Sequence, residues 1–171
     1  MKLFNRAERA PVAVLDAAGL QRGEKVLAFA QDGERWLLGT RLAFVVAEPG
    51  VEPVRLPWEN VQAADWEKDT GELRVSEVGE FGQPRSAYTF SLEDPALLLQ
   101  LIRERVTASV VLQRGFLVRN KVGFKVIGRR SPDGGQVRWM HEYDAGIDPE
   151  EPAVAAVAAA ALAQARADVG E

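Results

Sequence analysis

The chain has 171 residues, of which 47% are hydrophobic and 27% charged, with a formal net charge of −4. This composition is typical of a globular domain long enough to bury about 70% of the surface that its unfolded chain exposes. The absence of cysteine excludes disulfides, thiolate nucleophiles and thiolate metal ligands. No apolar run is long enough for a secretory signal or a membrane helix, so we expect a cytoplasmic protein.

A series of short strands is predicted in the first half of the chain, after a lead-in at residues 1–22. Within that lead-in, Pro11–Leu20 is compatible with either a short helix or an extended segment. The run Arg35–Ala47 is almost continuously apolar, which predicts one long strand bent at Gly39. Such a run indicates either a strand covered on both faces or one whose faces change at the bend. The predicted strands are Lys25–Ala30, Arg35–Ala47, Val54–Leu56, Gln62–Glu67, Leu73–Val78 and, after a loop at Gly79–Pro84, Ser86–Leu92.

The pattern then changes to helical spacing. Asp94 is the predicted N-cap and Pro95 the first residue of a helix that extends to about Leu112. β-Branched residues near its end predict that a strand replaces the helix before Gln113. The predicted apolar stripe of this helix consists of Leu97, Leu98, Leu101, Ile102, Val106 and Val110.

Two strands and a second long helix complete the chain. The predicted strands are Phe116–Arg130 and Gln136–Tyr143, joined by a turn rich in Pro, Asp and Gly. Asp148 is the predicted N-cap of the last helix, which extends to about Ala167. Its stripe of small apolar residues, suited to close packing on a sheet or another helix, consists of Val154, Val157, Ala161, Ala165 and Val169.

Four segments of the chain are similar to those of bacterial and GRAM-type pleckstrin-homology-like (PH-like) domains: GEKVL at 23–27, GTRLAFV at 39–45, LPWENV at 56–61 and GELRV at 71–75. The chain also resembles a group of actinobacterial proteins that share the segment RVTASVVLQR, found here at 105–114, and a basic hairpin. The first resemblance implies a mainly β fold with helices (α+β), in which a bent antiparallel barrel or sandwich is capped by a helix. The second supports this architecture and implies no function.

This resemblance gives the expected domain organisation: the lead-in at 1–22, a PH-like barrel and helix at 23–113, and a basic hairpin with the C-terminal helix at 114–171, packed on the same domain. PH-like domains usually have seven strands before the helix, whereas five or six are predicted here. Members that bind phosphoinositides carry a Lys and Arg cluster in the first hairpin loop. The corresponding loop here, Gln31–Glu34, is acidic, so phosphoinositide binding at that loop is not expected.

The charge of the chain is strongly asymmetric near its end. Residues 114–138 contain seven Lys or Arg and one Asp, whereas residues 142–171 contain one Arg and seven Asp or Glu. On a regular strand over 116–130, four of the basic residues would share one face: Arg119, Lys121, Lys125 and Arg129. The candidate anion-binding residues are Arg114, Arg119, Lys121, Lys125, Arg129 and Arg130.

Two interpretations of this basic hairpin remain open. The acidic block Glu142–Glu151 neutralises it within the chain, or its charges protect a sheet edge from aggregation. Alternatively, the basic face binds the phosphates of nucleic acid or of an anionic membrane surface.

Other candidate functional residues are few. Trp58, which follows Pro57 in a turn, is the tryptophan most expected to be exposed, and the remaining tryptophans are expected to be mainly buried. His141 is the only histidine and is expected on the surface or half-buried in a strand. The chain contains no Walker motif, Rossmann spacing or nucleophile elbow. We therefore predict no catalytic residues, no metal ligands and no cofactor.

The function expected from the sequence is that of a non-enzymatic binding or scaffold module. It would act through protein–protein contacts along an exposed sheet edge or the groove between barrel and helix. The alternative is an anion-directed module that uses the basic hairpin on nucleic acid or an anionic membrane. A small enzyme built on paired carboxylates is a third possibility.

Overall fold

The computed structural model describes residues 9–79 and 85–171, which form three antiparallel sheets and three α-helices. The predicted class, mainly β with helices, is confirmed. The described strands are hydrogen-bonded into three separate sheets and do not form a closed barrel. Residues 1–8 of the predicted lead-in and residues 80–84 of the predicted loop lie outside the described residues.

The first sheet contains four strands in chain order, β1 (Val26–Asp32), β2 (Arg35–Thr40), β3 (Ala43–Ala47) and β4 (Val54–Pro57). The prediction of a single bent strand over Arg35–Ala47 is therefore wrong, because β2 and β3 form an antiparallel hairpin. The side chain of Thr40 closes the turn. Its Oγ1 accepts hydrogen bonds from the backbone N–H groups of Leu42 at 3.1 Å and Ala43 at 3.0 Å.

The second sheet has three strands in the order β5 (Val61–Glu67), β6 (Glu72–Glu77), β7 (Ala87–Ser91). A 3₁₀ turn, Trp58–Asn60, connects the first sheet to it. Helix α2 (Ala96–Ser109) follows β7. Within the described residues seven strands precede α2, rather than five or six, because the predicted long strand is two strands.

The start of α2 differs from the prediction. Pro95 occupies the cap position without a side-chain cap hydrogen bond, and Asp94 lies before it with a positive φ of 42°. Leu98, Leu101 and Ile102 are buried, whereas Leu97 is 74% exposed and does not belong to the apolar stripe. Neighbouring residues of a helix point about 100° apart around its axis. Leu97 therefore points away from the face that buries Leu98.

Both faces of the first sheet are covered, which was one of the two alternatives that its apolar run indicated. Leu38 and Val45 pack on one face against α1 (Val12–Ala17), the short helix of the lead-in. Leu37 and Phe44 pack on the other face against Leu98 of α2 and the second sheet. Successive residues of a strand point to opposite faces, so β2 and β3 contribute to two hydrophobic clusters at once.

The third sheet begins where α2 ends, as the β-branched residues predicted. Its strands are β8 (Val110–Arg119), β9 (Val122–Ser131) and β10 (Gly134–Tyr143), with β9 in the centre. Two side-chain interactions tie its β9–β10 hairpin to earlier segments of the chain. Arg41 pairs with Asp133 at 2.6 Å, and Arg138 donates a hydrogen bond to Asn60 Oδ1 at 2.6 Å.

The C-terminal helix, α3 (Pro152–Asp168), packs on β8 and β9 of its own chain. The predicted cap Asp148 is wrong: Glu151 occupies the cap position, and Asp148 Oδ1 accepts a hydrogen bond from the Glu150 N–H in the preceding turn. The predicted stripe is confirmed at Val154, Ala161 and Ala165 but not at Val157, which is exposed. Ala158 is buried in its place.

The described part of the chain contains no helix that combines the length and the apolar character needed to cross a membrane.

Candidate binding site

The basic hairpin consists of two strands and a turn rather than one strand. Arg114 and Arg119 lie on β8, Lys121 lies in the turn, and Lys125, Arg129 and Arg130 lie on β9. The prediction that Arg119, Lys121, Lys125 and Arg129 share one strand face is therefore wrong. Asn120 and Lys121 both have a positive φ, 43° and 69°, which is the backbone of a tight two-residue hairpin turn.

Three of the six cations pair with carboxylates from the C-terminal acidic segment. Arg114 pairs with Asp168, Arg119 with Glu151 at 2.9 Å, and Lys125 with Glu142 at 3.4 Å. These pairs are well exposed to solvent, so each contributes roughly 0.2–1 kcal/mol to stability. Their larger effect is that they reduce the positive potential of the hairpin, as the intramolecular interpretation predicted.

Arg129 is a buried residue, with only 6% of its surface exposed. Its Nη1 donates a hydrogen bond to Ser109 Oγ at 2.9 Å, and its Nε is buried without a described partner. Burial lowers the pKa of the Arg129 guanidinium, against a smaller opposing effect of the Glu142 carboxylate. The candidate role of Arg129 as a surface anion ligand is therefore corrected: this side chain joins α2 to β9.

Lys121 and Arg130 make no ion pair with any residue of the described chain. Arg130 nevertheless lies close enough to Glu171 to act on it. Hydrogen bonds from Trp139 Nε1, at 2.8 Å, and from the Val137 N–H lower the pKa of the Glu171 carboxyl, and Arg130 adds a smaller electrostatic effect.

Trp58, the predicted exposed aromatic, is fully buried. It opens the 3₁₀ turn between the first two sheets, and its Nε1 donates a hydrogen bond to the Thr40 carbonyl at 3.0 Å. Its ring centroid lies 6.4 Å from that of Phe44. The turn directs the indole into the core, where a single hydrogen bond satisfies its N–H; the neighbouring Pro57 does not indicate exposure.

His141 is half-buried in β10, as predicted. One ring nitrogen lies 3.3 Å from the Ala158 carbonyl oxygen, and the ring packs beside Phe124 and Tyr143. Over residues 9–79 and 85–171, no three His, Cys, Asp or Glu side chains lie close enough together to hold a metal ion. The surroundings of His141 are those of a packing residue.

A groove of about 430 Å³ lies between β5 and α2. β5 contributes three consecutive residues to it, Ala64, Asp65 and Trp66. Side chains alternate between the two faces of a strand, so three consecutive residues that line one groove show that it follows the edge of β5. That edge is open to a further strand, because β5 pairs with β6 alone among the described strands.

The wall of the groove formed by α2 is apolar, with one charge at its rim. Leu99 and Val106 are half-buried beside Ile102. Arg103 on α2 and Asp65 on β5 are exposed, and neither forms an ion pair within the described chain. The groove therefore combines accessible apolar surface, open backbone groups and two unpaired charges of opposite sign.

The sequence predicted a binding surface along a sheet edge or between barrel and helix, but it did not predict which residues line that groove. Trp66 was expected in the core with the other tryptophans, but it is half-buried and lines the groove. Val106 was predicted in the buried stripe of α2 but is only half-buried, and Leu99 was not part of the predicted stripe. An apolar residue beside the stripe, such as Leu99, is the only sequence signal that could have indicated this wall.

No family model, curated protein or solved structure matches this chain. Its function is therefore inferred from its own residues.

Proposed function

We propose that this protein is a non-enzymatic binding module, PH-like over residues 23–113, that binds an extended segment of a protein partner in the groove between β5 and α2. The order of elements supports the PH-like assignment. A four-stranded antiparallel sheet, a three-stranded antiparallel sheet and a helix follow one another along the chain.

The observation that carries the proposal is the coincidence of an open strand edge with an apolar groove. An extended peptide that adds to the edge of β5 would satisfy backbone N–H and C=O groups, and alternate side chains of the peptide would enter the groove. Trp66 offers an amphipathic aromatic surface, the type of residue that most often dominates binding energy at interfaces. Asp65 and Arg103 would select a partner segment with charges of both signs.

The groove is also large enough to admit apolar side chains of a bound segment. A volume of about 430 Å³ lies within the range of roughly 300–1,000 Å³ that is typical of sites for small ligands. One or two apolar side chains would fill the space beside Trp66, Leu99 and Val106.

Selection of peptides against the purified protein tests this proposal. Random peptides displayed on phage are selected, synthesised and titrated by calorimetry against the native protein and against Trp66→Ala and Asp65→Lys. We expect both substitutions to weaken binding by about tenfold or more, since truncated hot-spot residues cost about 2 kcal/mol. Asp65 is exposed, so the second variant changes the groove without removing packed side-chain volume.

The matched control is Leu97→Ala, which removes an exposed apolar side chain from the same helix but outside the groove. Its affinity for the selected peptides should equal that of the native protein. Peptides that bind Trp66→Ala and Asp65→Lys as tightly as the native protein would place the partner elsewhere and reject the groove.

A second proposal, from a different class, is that the basic hairpin binds nucleic acid or an anionic membrane. Lys121, exposed at the tip of the β8–β9 turn and without an ion pair in the described chain, supports it. The test is anisotropy of labelled DNA and RNA, and sedimentation with anionic vesicles, in a salt series. Binding that weakens with salt and is lost in Lys121→Glu supports this proposal, and absence of binding at low salt rejects it.

A further inference from the structure

A second cavity, of about 480 Å³, lies where four segments of the chain meet. They are the turn before β1, the β2–β3 turn, the C-terminal half of α2 and the β9–β10 turn. Four cationic residues line it: Arg22, Lys25, Arg41 and Arg105. This cationic cleft shares no residue with the groove between β5 and α2.

The two carboxylates of the cationic cleft are already paired. Asp133 pairs with Arg41 at 2.6 Å. Glu24 pairs with Arg55 at 2.9 Å, and its side chain is only 2% exposed. Arg22, Lys25 and Arg105 line the same space without an ion pair to any described residue. Three uncompensated positive charges around one concave space attract an anion.

Arg105 supplies the most specific evidence. Its Nε is buried from solvent and has no hydrogen-bond partner among the described residues. An anion in the cationic cleft cannot reach this buried atom. The terminal nitrogens Nη1 and Nη2 of Arg105 are accessible and also have no hydrogen-bond partner among the described residues, so an anion in the cleft would offer its oxygens to them.

The walls of the cationic cleft are fixed before any ligand binds. Glu24 Oε1 accepts hydrogen bonds from Thr40 Oγ1 at 2.5 Å and from Arg55 at 2.9 Å. Glu24 Oε2 accepts one from the Gln21 backbone N–H at 2.9 Å. The backbone of the turn that carries Arg22 and Lys25 is thereby anchored to β2 and β4, so little backbone freedom would be lost on binding.

We propose that the cationic cleft binds a phosphate monoester. A dianionic phosphate matches three cations, and guanidinium groups bind phosphate oxygens in favourable geometry. Leu27, which is 51% exposed, and Leu42 add apolar surface beside the cations, so the ligand carries an apolar group next to its phosphate. A soluble organic phosphate and a lipid headgroup share this chemistry.

Titration with phenyl phosphate and with phosphatidylcholine vesicles, with and without phosphatidic acid, tests the proposal and separates the two sources. We expect saturable binding at low salt of phenyl phosphate by calorimetry, or of the phosphatidic acid vesicles by sedimentation. Arg22→Gln, Lys25→Gln and Arg105→Gln should each weaken that binding by about tenfold, because each removes one charge-assisted hydrogen bond. Binding of phenyl phosphate identifies a soluble ligand, and binding of vesicles alone identifies a lipid headgroup.

The matched control is Lys68→Gln, which removes the same charge from the exposed β5–β6 turn, away from the cationic cleft and from the basic hairpin. It should bind both probes as the native protein does. Arg22 and Lys25 are exposed, and thermal melting of each variant confirms that it is folded. Absence of binding to both probes, or equal weakening in Lys68→Gln, would overturn the proposal.

Discussion

For Arg129, the surface position expected from the sequence differs most from the position observed in the fold. It stands in a run of basic residues, but its guanidinium is buried against the end of α2 and bonded to Ser109. Nothing in the local sequence distinguishes it from Arg130. The two residues are neighbours on β9 and point to opposite faces of the sheet, and the face of Arg129 is covered by the end of α2. Charge density along a chain predicts a basic segment, whereas only tertiary packing decides which charges are accessible.

Reversal of the charge at Arg129 should therefore destabilise the fold. We expect Arg129→Glu to lower the free energy of unfolding by about 3–5 kcal/mol, because a carboxylate would be buried without a partner beside Glu142. Urea unfolding followed by circular dichroism measures the change. The control, Arg119→Glu, alters an exposed pair and should cost about 1 kcal/mol or less. Equal, small losses in the two variants would show that Arg129 is accessible to water.

Glu24 links folding to pH. Burial tends to raise the pKa of its carboxyl, but hydrogen bonds from Arg55, Thr40 and the Gln21 backbone, with the charge of Arg55, lower it below the ordinary value of 4.5. A folded-state pKa below the unfolded one gives stability that is present above pH 4.5 and lost as the pH falls through the folded value.

Glu24→Gln should remove this contribution. We expect the variant to be less stable than the native protein at neutral pH, and the difference to shrink steadily as the pH is lowered below 4.5. Urea midpoints across the acidic range measure it, with Glu93→Gln, an exposed position, as the control. A difference that stays constant with pH would contradict the assignment.

At the scale of elements, the two hairpins that the sequence did not reveal have different causes. The β2–β3 turn depends on Thr40, whose hydroxyl accepts hydrogen bonds from two backbone N–H groups. The same hydroxyl donates a hydrogen bond to Glu24, which is 16 positions away in the chain. The β8–β9 turn depends on Asn120 and Lys121, both of which have a positive φ. Asn is a local sequence signal for such a turn, but here Lys follows it instead of the usual Gly. The first turn needed tertiary information, and the second did not.

The β8–β9 hairpin provides a matched pair of glycine substitutions. A Cβ at Gly123 on β9 would overlap the backbone carbonyl of Phe116 on β8, whereas a Cβ at Gly115 meets nothing within 4 Å. We expect Gly123→Ala to lower the free energy of unfolding by about 2 kcal/mol or more, since the backbone must move. Gly115→Ala should change it by no more than about 0.5 kcal/mol. Similar urea midpoints for the two variants would contradict the close approach of β8 and β9.

At the scale of the whole molecule, residues 114–171 are joined to 23–113 in several ways. The chain passes from α2 directly into β8, and Arg129 is bonded to Ser109 of α2. Arg41 of the β2–β3 turn pairs with Asp133, and Arg138 is bonded to Asn60 of the 3₁₀ turn between the first two sheets. These contacts predict that the two parts unfold together. Scanning calorimetry should show one transition whose calorimetric and van't Hoff enthalpies agree. Two separate transitions would show that the third sheet and α3 form an independent unit.

The elements around the candidate site could be predicted from the sequence, but the site itself could not. Helical spacing predicted the buried residues Leu98, Leu101 and Ile102, and strand alternation predicted the strands of the second sheet. The groove arises because α2 lies beside β5, an arrangement that no local pattern encodes, and the cationic cleft combines residues from four separate segments. Basic residues adjacent in sequence were visible at once, whereas Lys25 and Arg105 become neighbours only in the fold.

The central claim is that the groove between β5 and α2 holds an extended peptide, and amide chemical shifts test it most directly. A peptide selected on the native protein would be titrated into labelled protein while the backbone amide signals are followed by NMR. We expect the largest shifts, and slower hydrogen exchange, at the amides of β5 from Ala64 to Trp66, with smaller shifts along α2 near Arg103. Shifts confined to the β8–β9 hairpin, with β5 unchanged, would contradict the claim.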